Sequence, residues 1–155
     1  MSLERLGPWP RASCKASSPT FSNLGDGLTK KILEQGKVEW FGSYPRDGDE
    51  VSLEYEAFLP DGRMFDSSKI DGTSKPYSFK IGAGGKVMVG WERVVQTMCT
   101  DEYAEVFIPS ALAHGENGIP GVVPPNTDLT FRIRLVKWVC STIDILIYNH
   151  IRMFF

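Results

Sequence analysis

The chain has 155 residues, of which 42% are hydrophobic and 12% aromatic, with 19 acidic against 17 basic side chains and a formal charge of -2. That length suits one ordinary domain plus tails, with enough apolar material for a single core. Near-balanced charge, with no Lys/Arg run longer than the Lys30-Lys31 pair, argues against nucleic acid as a partner.

Residues 1–24 are rich in Ser, Pro and Arg without apolar periodicity, which predicts a mobile leader. Its Leu3, Leu6 and Trp9 are broken by Gly7, Pro8 and Pro10 and do not form a signal-peptide core. From Val51 onward Val51, Leu53, Tyr55 and Ala57 alternate with Ser52, Glu54 and Glu56, the two-residue period of a strand buried on one face. Pro60-Asp61-Gly62 follows as a turn. The alternation returns at Tyr77, Phe79 and Ile81, at Ala104, Val106 and Ile108, and at Leu129, Phe131, Ile133 and Leu135. Between these strands Trp91, Val94, Val95 and Met98 fall at i, i+3, i+4 and i+7, an apolar stripe that predicts a short helix starting after Gly90. One helix covering an antiparallel sheet is an α+β arrangement with a single core.

Residues 116–126 include Ile119-Pro120-Gly121-Val122-Val123-Pro124-Pro125, where prolines remove donors and fix φ. A stiff loop presenting apolar side chains suits the wall of a binding site and equally suits packing onto the sheet. The C-terminal stretch 139–155 is apolar, but Asp144, Asn149, His150 and Arg152 interrupt it, and it falls short of the roughly 20 apolar residues of a membrane-spanning helix. No membrane association is expected of it.

The glycines of Gly82-Ala83-Gly84-Gly85-Lys86 lack the spacing of a phosphate loop or a dinucleotide fingerprint and read as a turn. No Gly-x-Ser-x-Gly elbow and no HExxH motif occurs, and Cys99 with His114 has no third group to orient it. Cys14, Cys99 and Cys140 are odd in number and far apart, fitting neither a disulfide framework nor a zinc site, and they suggest a reducing, cytoplasmic compartment. His114 and His150 have no ligands at useful spacing, so no metal and no other cofactor is expected.

What remains is an aromatic set, Tyr55, Phe65, Tyr77, Trp91 and Phe131, embedded in three motifs: Phe65-Asp66-Ser67-Ser68, Val87-Met88-Val89-Gly90-Trp91-Glu92, and Gly118-Ile119-Pro120-Gly121-Val122-Val123-Pro124-Pro125-Asn126. In order and context these residues resemble the FKBP-type peptidyl-prolyl isomerases over residues 25–138. The resemblance implies a bent antiparallel sheet of five to six strands wrapped around the helix at Trp91. It also implies isomerisation of X-Pro bonds in an aromatic, water-poor pocket, assisting protein folding. Tyr55, Phe65, Asp66, Trp91 and Phe131 would carry catalysis, and Tyr77, Val87, Met88, His114, Ile119, Val122 and Val123 would bind substrate. The partners it implies are proline-containing peptides and macrolide immunosuppressants such as rapamycin, met by a monomeric domain. Two departures bear on activity and drug affinity: His114 stands where the family usually carries a Tyr donor, and Asp71-Gly72-Thr73 lacks the Arg that usually faces Asp66. The alternative is a non-catalytic module that binds a partner's proline segment, as part of a co-chaperone.

Overall fold

In the computed structural model, residues 20–37, 44–70, 72–85 and 87–140 are described. The leader up to residue 19, the tail from residue 141 and Cys14 lie outside them. In chain order the elements are β1 (Phe21–Asn23), β2 (Thr29–Glu34), β3 (Glu50–Phe58), β4 (Met64–Ser67), β5 (Lys69–Ile70), β6 (Thr73–Ser74) and β7 (Tyr77–Lys80), then helix α1 (Val89–Val95), β8 (Tyr103–Ile108), a 3-10 turn (Ser110–Leu112) and β9 (Leu129–Val139). A seven-stranded antiparallel sheet runs β1-β2-β8-β9-β3-β4, with β7 also on β3, while β5 and β6 form a separate pair. The class is the expected α+β one, with more strands than the alternation alone reveals. β1 falls inside the segment read as leader, and β4 has only four residues, so neither carries a long apolar period.

One edge of β3 pairs with β9 along its whole length, from Glu50 opposite Val139 to Phe58 opposite Thr130. Its other edge is divided: β7 takes Glu50 to Leu53 and β4 takes Glu56 to Phe58. The division leaves Tyr55 without a strand partner on that side, on the face that packs against α1. Val51, Leu53 and Ala57 on β3, Ala104, Val106 and Ile108 on β8, and Leu129, Phe131, Ile133 and Leu135 on β9 bury that face, as strict alternation requires. Most outward residues are polar, with Phe107 exposed among them. Arg132 lies over the Phe58 ring and Arg134 over Tyr103, and the two arginines form ion pairs with Glu105 and Glu34.

Helix α1 lies against this face through Trp91, Val94 and Val95, and its stripe continues to the fully buried Met98. The helix itself stops at Val95, because Thr97 and Met98 donate to the carbonyls of Val94 and Val95, the tighter i to i+3 bonds common where a helix ends. Close approach depends on Gly90. A Cβ there would stand 2.5 Å from Ile108 Cγ2 and 3.1 Å from the Leu112 carbonyl oxygen.

Behind the helix terminus Lys30 is 4% exposed and Glu102 2%. Lys30 Nζ donates to Glu102 Oε1 at 2.8 Å and to the Thr97 carbonyl at 2.7 Å, while Glu102 Oε2 accepts the Cys99 N–H at 3.0 Å. A buried pair so fully hydrogen-bonded offsets much of its desolvation cost and ties β2 to the end of α1. Cys99 itself is disulfide-bonded, which corrects the expectation that the cysteines stand apart. Among the described residues no helix is long and apolar enough to cross a membrane.

Gly90→Ala should destabilise the protein by about 1–3 kcal/mol, the ordinary cost of forcing extra volume into a packed contact. Urea unfolding measures it; an unchanged midpoint would mean that α1 does not need the close approach to β8.

Candidate active site

Tyr55 occupies the gap between β7 and β4, so its backbone must bond elsewhere. The serines that follow Asp66 supply the partners. Tyr55 N–H donates to Ser68 Oγ at 2.9 Å, Ser68 N–H donates to the Tyr55 carbonyl at 2.9 Å, and Ser67 Oγ donates to the same carbonyl at 3.2 Å. Asp66 completes the clamp. Its Oδ1 accepts the Ser67 N–H at 2.8 Å and its Oδ2 accepts the Tyr55 hydroxyl at 2.9 Å. The carboxylate therefore both caps the local turn and orients the phenol. Partial burial and the adjacent carboxylate raise the Tyr55 pKa well above its ordinary 10.0, so the phenol stays protonated and keeps donating.

Around Tyr55 the rings meet edge to face. Trp91, projected from the first turn of α1, lies 4.8 Å from Tyr55 and 5.4 Å from Phe131 between ring centroids, at 64° and 84°. Tyr77 on β7 lies 6.0 Å from Trp91 and 6.5 Å from Tyr55 at 70° and 85°, and Phe65 on β4 lies 6.5 Å from Phe131 at 76°. Offset, near-perpendicular pairs of this kind contribute about 0.5–1.5 kcal/mol each beyond burial. Exposure grades across the set, from 2% at Phe131 and 5% at Trp91 to 40% at Tyr77. Trp91 Nε1 is buried with no protein acceptor among the described residues. The inner end is thus buried and largely apolar, while the outer end reaches solvent.

The proline-containing loop after the 3-10 turn is pinned by its own backbone. Ile119 and Val123 exchange hydrogen bonds at 2.8 Å, Gly118 N–H reaches the His114 carbonyl, and Asn126 N–H reaches that of Gly115. Gly118 has φ of 56°, and a Cβ there would overlap the Val123 carbonyl, so residue 118 must lack a side chain.

Comparison with known proteins meets this geometry from the other side. A family model described as FKBP-type peptidyl-prolyl cis-trans isomerase matches residues 42–136. The chain belongs to the FKBP-type peptidyl-prolyl cis-trans isomerases. It is 44% identical over 118 residues to the peptidyl-prolyl cis-trans isomerase FPR2 of Saccharomyces cerevisiae, covering 76% of this chain and 82% of the yeast protein. It is 37% identical over 107 residues to FK506-binding protein 1 of Debaryomyces hansenii, covering 69% and 90%. A crystal structure of a peptidyl-prolyl isomerase from Pseudomonas syringae pv. tomato superposes with a TM-score of 0.66 at 29% identity, covering 80% of this chain and 84% of that one. This protein is thus a peptidyl-prolyl cis-trans isomerase of the FKBP type.

Within the FKBP domain the structure brings Tyr55, Phe65, Asp66, Tyr77, Trp91 and Phe131 into one connected set. Val87, Met88 and Ile119 are half-buried against the core beside it, and Val122 is exposed at 42%. Val123, only 2% exposed, lies in the core itself. His114 is half-buried in its loop, and no ring contact or side-chain hydrogen bond ties it to the aromatic set among the described residues. Asp66 likewise has no cationic partner among the described residues; the Tyr55 hydroxyl stands at its side instead. Phe79 is the residue that sequence reading assigned to a strand but not to the site: its ring is tilted at 34° to Trp91, 6.3 Å away, and at 36° to Tyr77, 6.1 Å away. Its place in the Tyr77-Ser78-Phe79 alternation, on the same face as Tyr77, is the signal that could have found it.

Tyr55→Phe keeps the ring contacts and removes the hydroxyl. Loss of its bond to Asp66 should cost about 0.5–1.5 kcal/mol at neutral pH by urea unfolding. Because the folded pKa is raised, the neutral phenol's contribution is fully present below pH 10.0 and fades as pH rises toward the higher folded value, so wild type should lose stability there relative to Tyr55→Phe. Parallel stability curves for the two proteins across that range would contradict the assignment.

Proposed function

We propose that this domain catalyses X-Pro rotation at the aromatic set, with the proline ring seated on Trp91 between Tyr55, Phe65 and Phe131. A prolyl amide turns slowly because resonance gives its C–N bond partial double-bond character, with a barrier of about 18–20 kcal/mol. No nucleophile is required. Twisting localises the amide electrons and shrinks the carbonyl dipole, so a dry aromatic surface disfavours the planar ground state relative to the twisted one. The observation that carries this reading is the gradient from the buried Trp91 and Phe131 to the exposed Tyr77.

Polar groups then hold the peptide in register. Asp66 and the Tyr55 oxygen serve as acceptors for a substrate N–H, since the Tyr55 proton is already given to Asp66. Met88, preceding the first turn of α1, offers its backbone, and Val87, Ile119 and Val122 supply apolar walls. His114, half-buried in the loop before Gly118, is the further proposed contact. Val123 supports the wall from the core.

Rapamycin and related macrolides are proposed ligands of the same surface, in keeping with the name of the Debaryomyces relative. Assistance to protein folding follows from the reaction itself, since prolyl rotation is slow enough to limit folding. The isomerase unit, read in the sequence as residues 25–138, also takes in β1 at Phe21–Asn23 through its pairing with β2, and acts as a monomer in the cytoplasm.

The cis-to-trans rate of a Leu-Pro tetrapeptide, with and without rapamycin, tests the proposal. Acceleration that the macrolide suppresses is expected. A folded protein that binds the peptide without accelerating its rotation would instead establish a non-catalytic binding module.

A further inference from the structure

A prolyl substrate presents carbonyl oxygens on both sides of the ring, and a site that fixes its register needs a donor aimed at one of them. Besides the Met88 backbone, the candidate side-chain donors differ in what they already do. The Tyr55 hydroxyl gives its one proton to Asp66 at 2.9 Å. Trp91 Nε1 is buried within the packed rings and out of a peptide's reach. Asp66 is an acceptor. His114 has no contact with the rings among the described residues.

Tyr77 remains. Its ring is held edge to face against both Trp91 and Tyr55 and tilted on Phe79, so its direction is set by three neighbours. The residue is 40% exposed, and its hydroxyl makes no side-chain hydrogen bond among the described residues. Its strand adds to the constraint: β7 pairs with β3, placing Tyr77 opposite Leu53, two residues from Tyr55 on the same inward face. A phenol oriented by packing, open to solvent and beside the floor indole is a donor already arranged for a ligand, with little rotamer freedom left to lose on binding.

We infer that the Tyr77 hydroxyl is a specificity-determining donor, which hydrogen-bonds a carbonyl oxygen of the peptide beside the proline seated on Trp91. This deepens the isomerase reading and rests on it. The polar edge of the site then has two halves. Asp66 with Tyr55 accepts from an N–H, and Tyr77 donates to a C=O, so the pair sets both the position and the direction of the chain. Such a bond forms in the planar and the twisted states alike, so it belongs to binding rather than to lowering the barrier.

Tyr77→Phe, which keeps every ring contact, is the test. Peptide Kd is followed by NMR titration of the Leu-Pro tetrapeptide, and rotation is followed by exchange at saturating peptide. The expected result is a Kd raised about 3- to 10-fold, the worth of one hydrogen bond, with kcat and the thermal midpoint unchanged. An unchanged Kd, or a loss confined to kcat, overturns the inference while leaving the isomerase reading intact. A wild-type protein that does not accelerate rotation defeats both, and the two failures are told apart by the wild-type rate alone.

Discussion

The missing side chain at residue 90 is the constraint on which the site depends. With a glycine there, α1 can lie close enough to β8 that Ile108 fills the space a Cβ would need. The next residue, Trp91, is thereby pressed onto the concave face of the sheet rather than held above it. From that position the indole touches Tyr55, Phe131, Tyr77 and Phe79 at once. Packing that stabilises the core and packing that shapes the reaction surface are the same contacts. Behind the helix the Lys30–Glu102 pair fixes its far end, so both ends of a seven-residue helix are held.

A second feature lies in the sheet. A continuous partner along the outer edge of β3 would consume the backbone groups of Tyr55 in a regular ladder. Here β7 and β4 share that edge, and side chains of Ser67 and Ser68 take over where neither strand reaches. The regular hydrogen-bond pattern thus gives way at Tyr55, the residue proposed to carry the polar chemistry. The clamp also commits the Tyr55 proton to Asp66, which makes that edge of the site an acceptor surface.

Much of this was legible in the sequence. Alternation at 51–57, 104–108 and 129–135 located the three long strands because one-sided burial imposes it over many residues, and the stripe from Trp91 to Met98 located the helix for the same reason. The family motifs led to the aromatic set. Short elements were not legible: β1 and β4 contribute backbone pairing with few apolar side chains, so hydrophobic period says nothing about them. Phe79 was seen as core, because a residue behind the floor looks like any inward strand residue. Cysteine spacing failed at Cys99, because a disulfide joins residues distant in sequence as readily as near ones.

The central claim is that one dry indole, set by the fold, supplies the surface on which the prolyl amide twists. Trp91→Leu keeps the position apolar while removing the ring. The most direct measurement is its kcat/KM on a Leu-Pro tetrapeptide, taken at a temperature where circular dichroism shows the variant folded. A loss of about 100-fold or more in a folded protein is predicted, of the order of the 10²-fold that misplacing a substrate can cost. Wild-type catalysis by the folded variant would contradict the account.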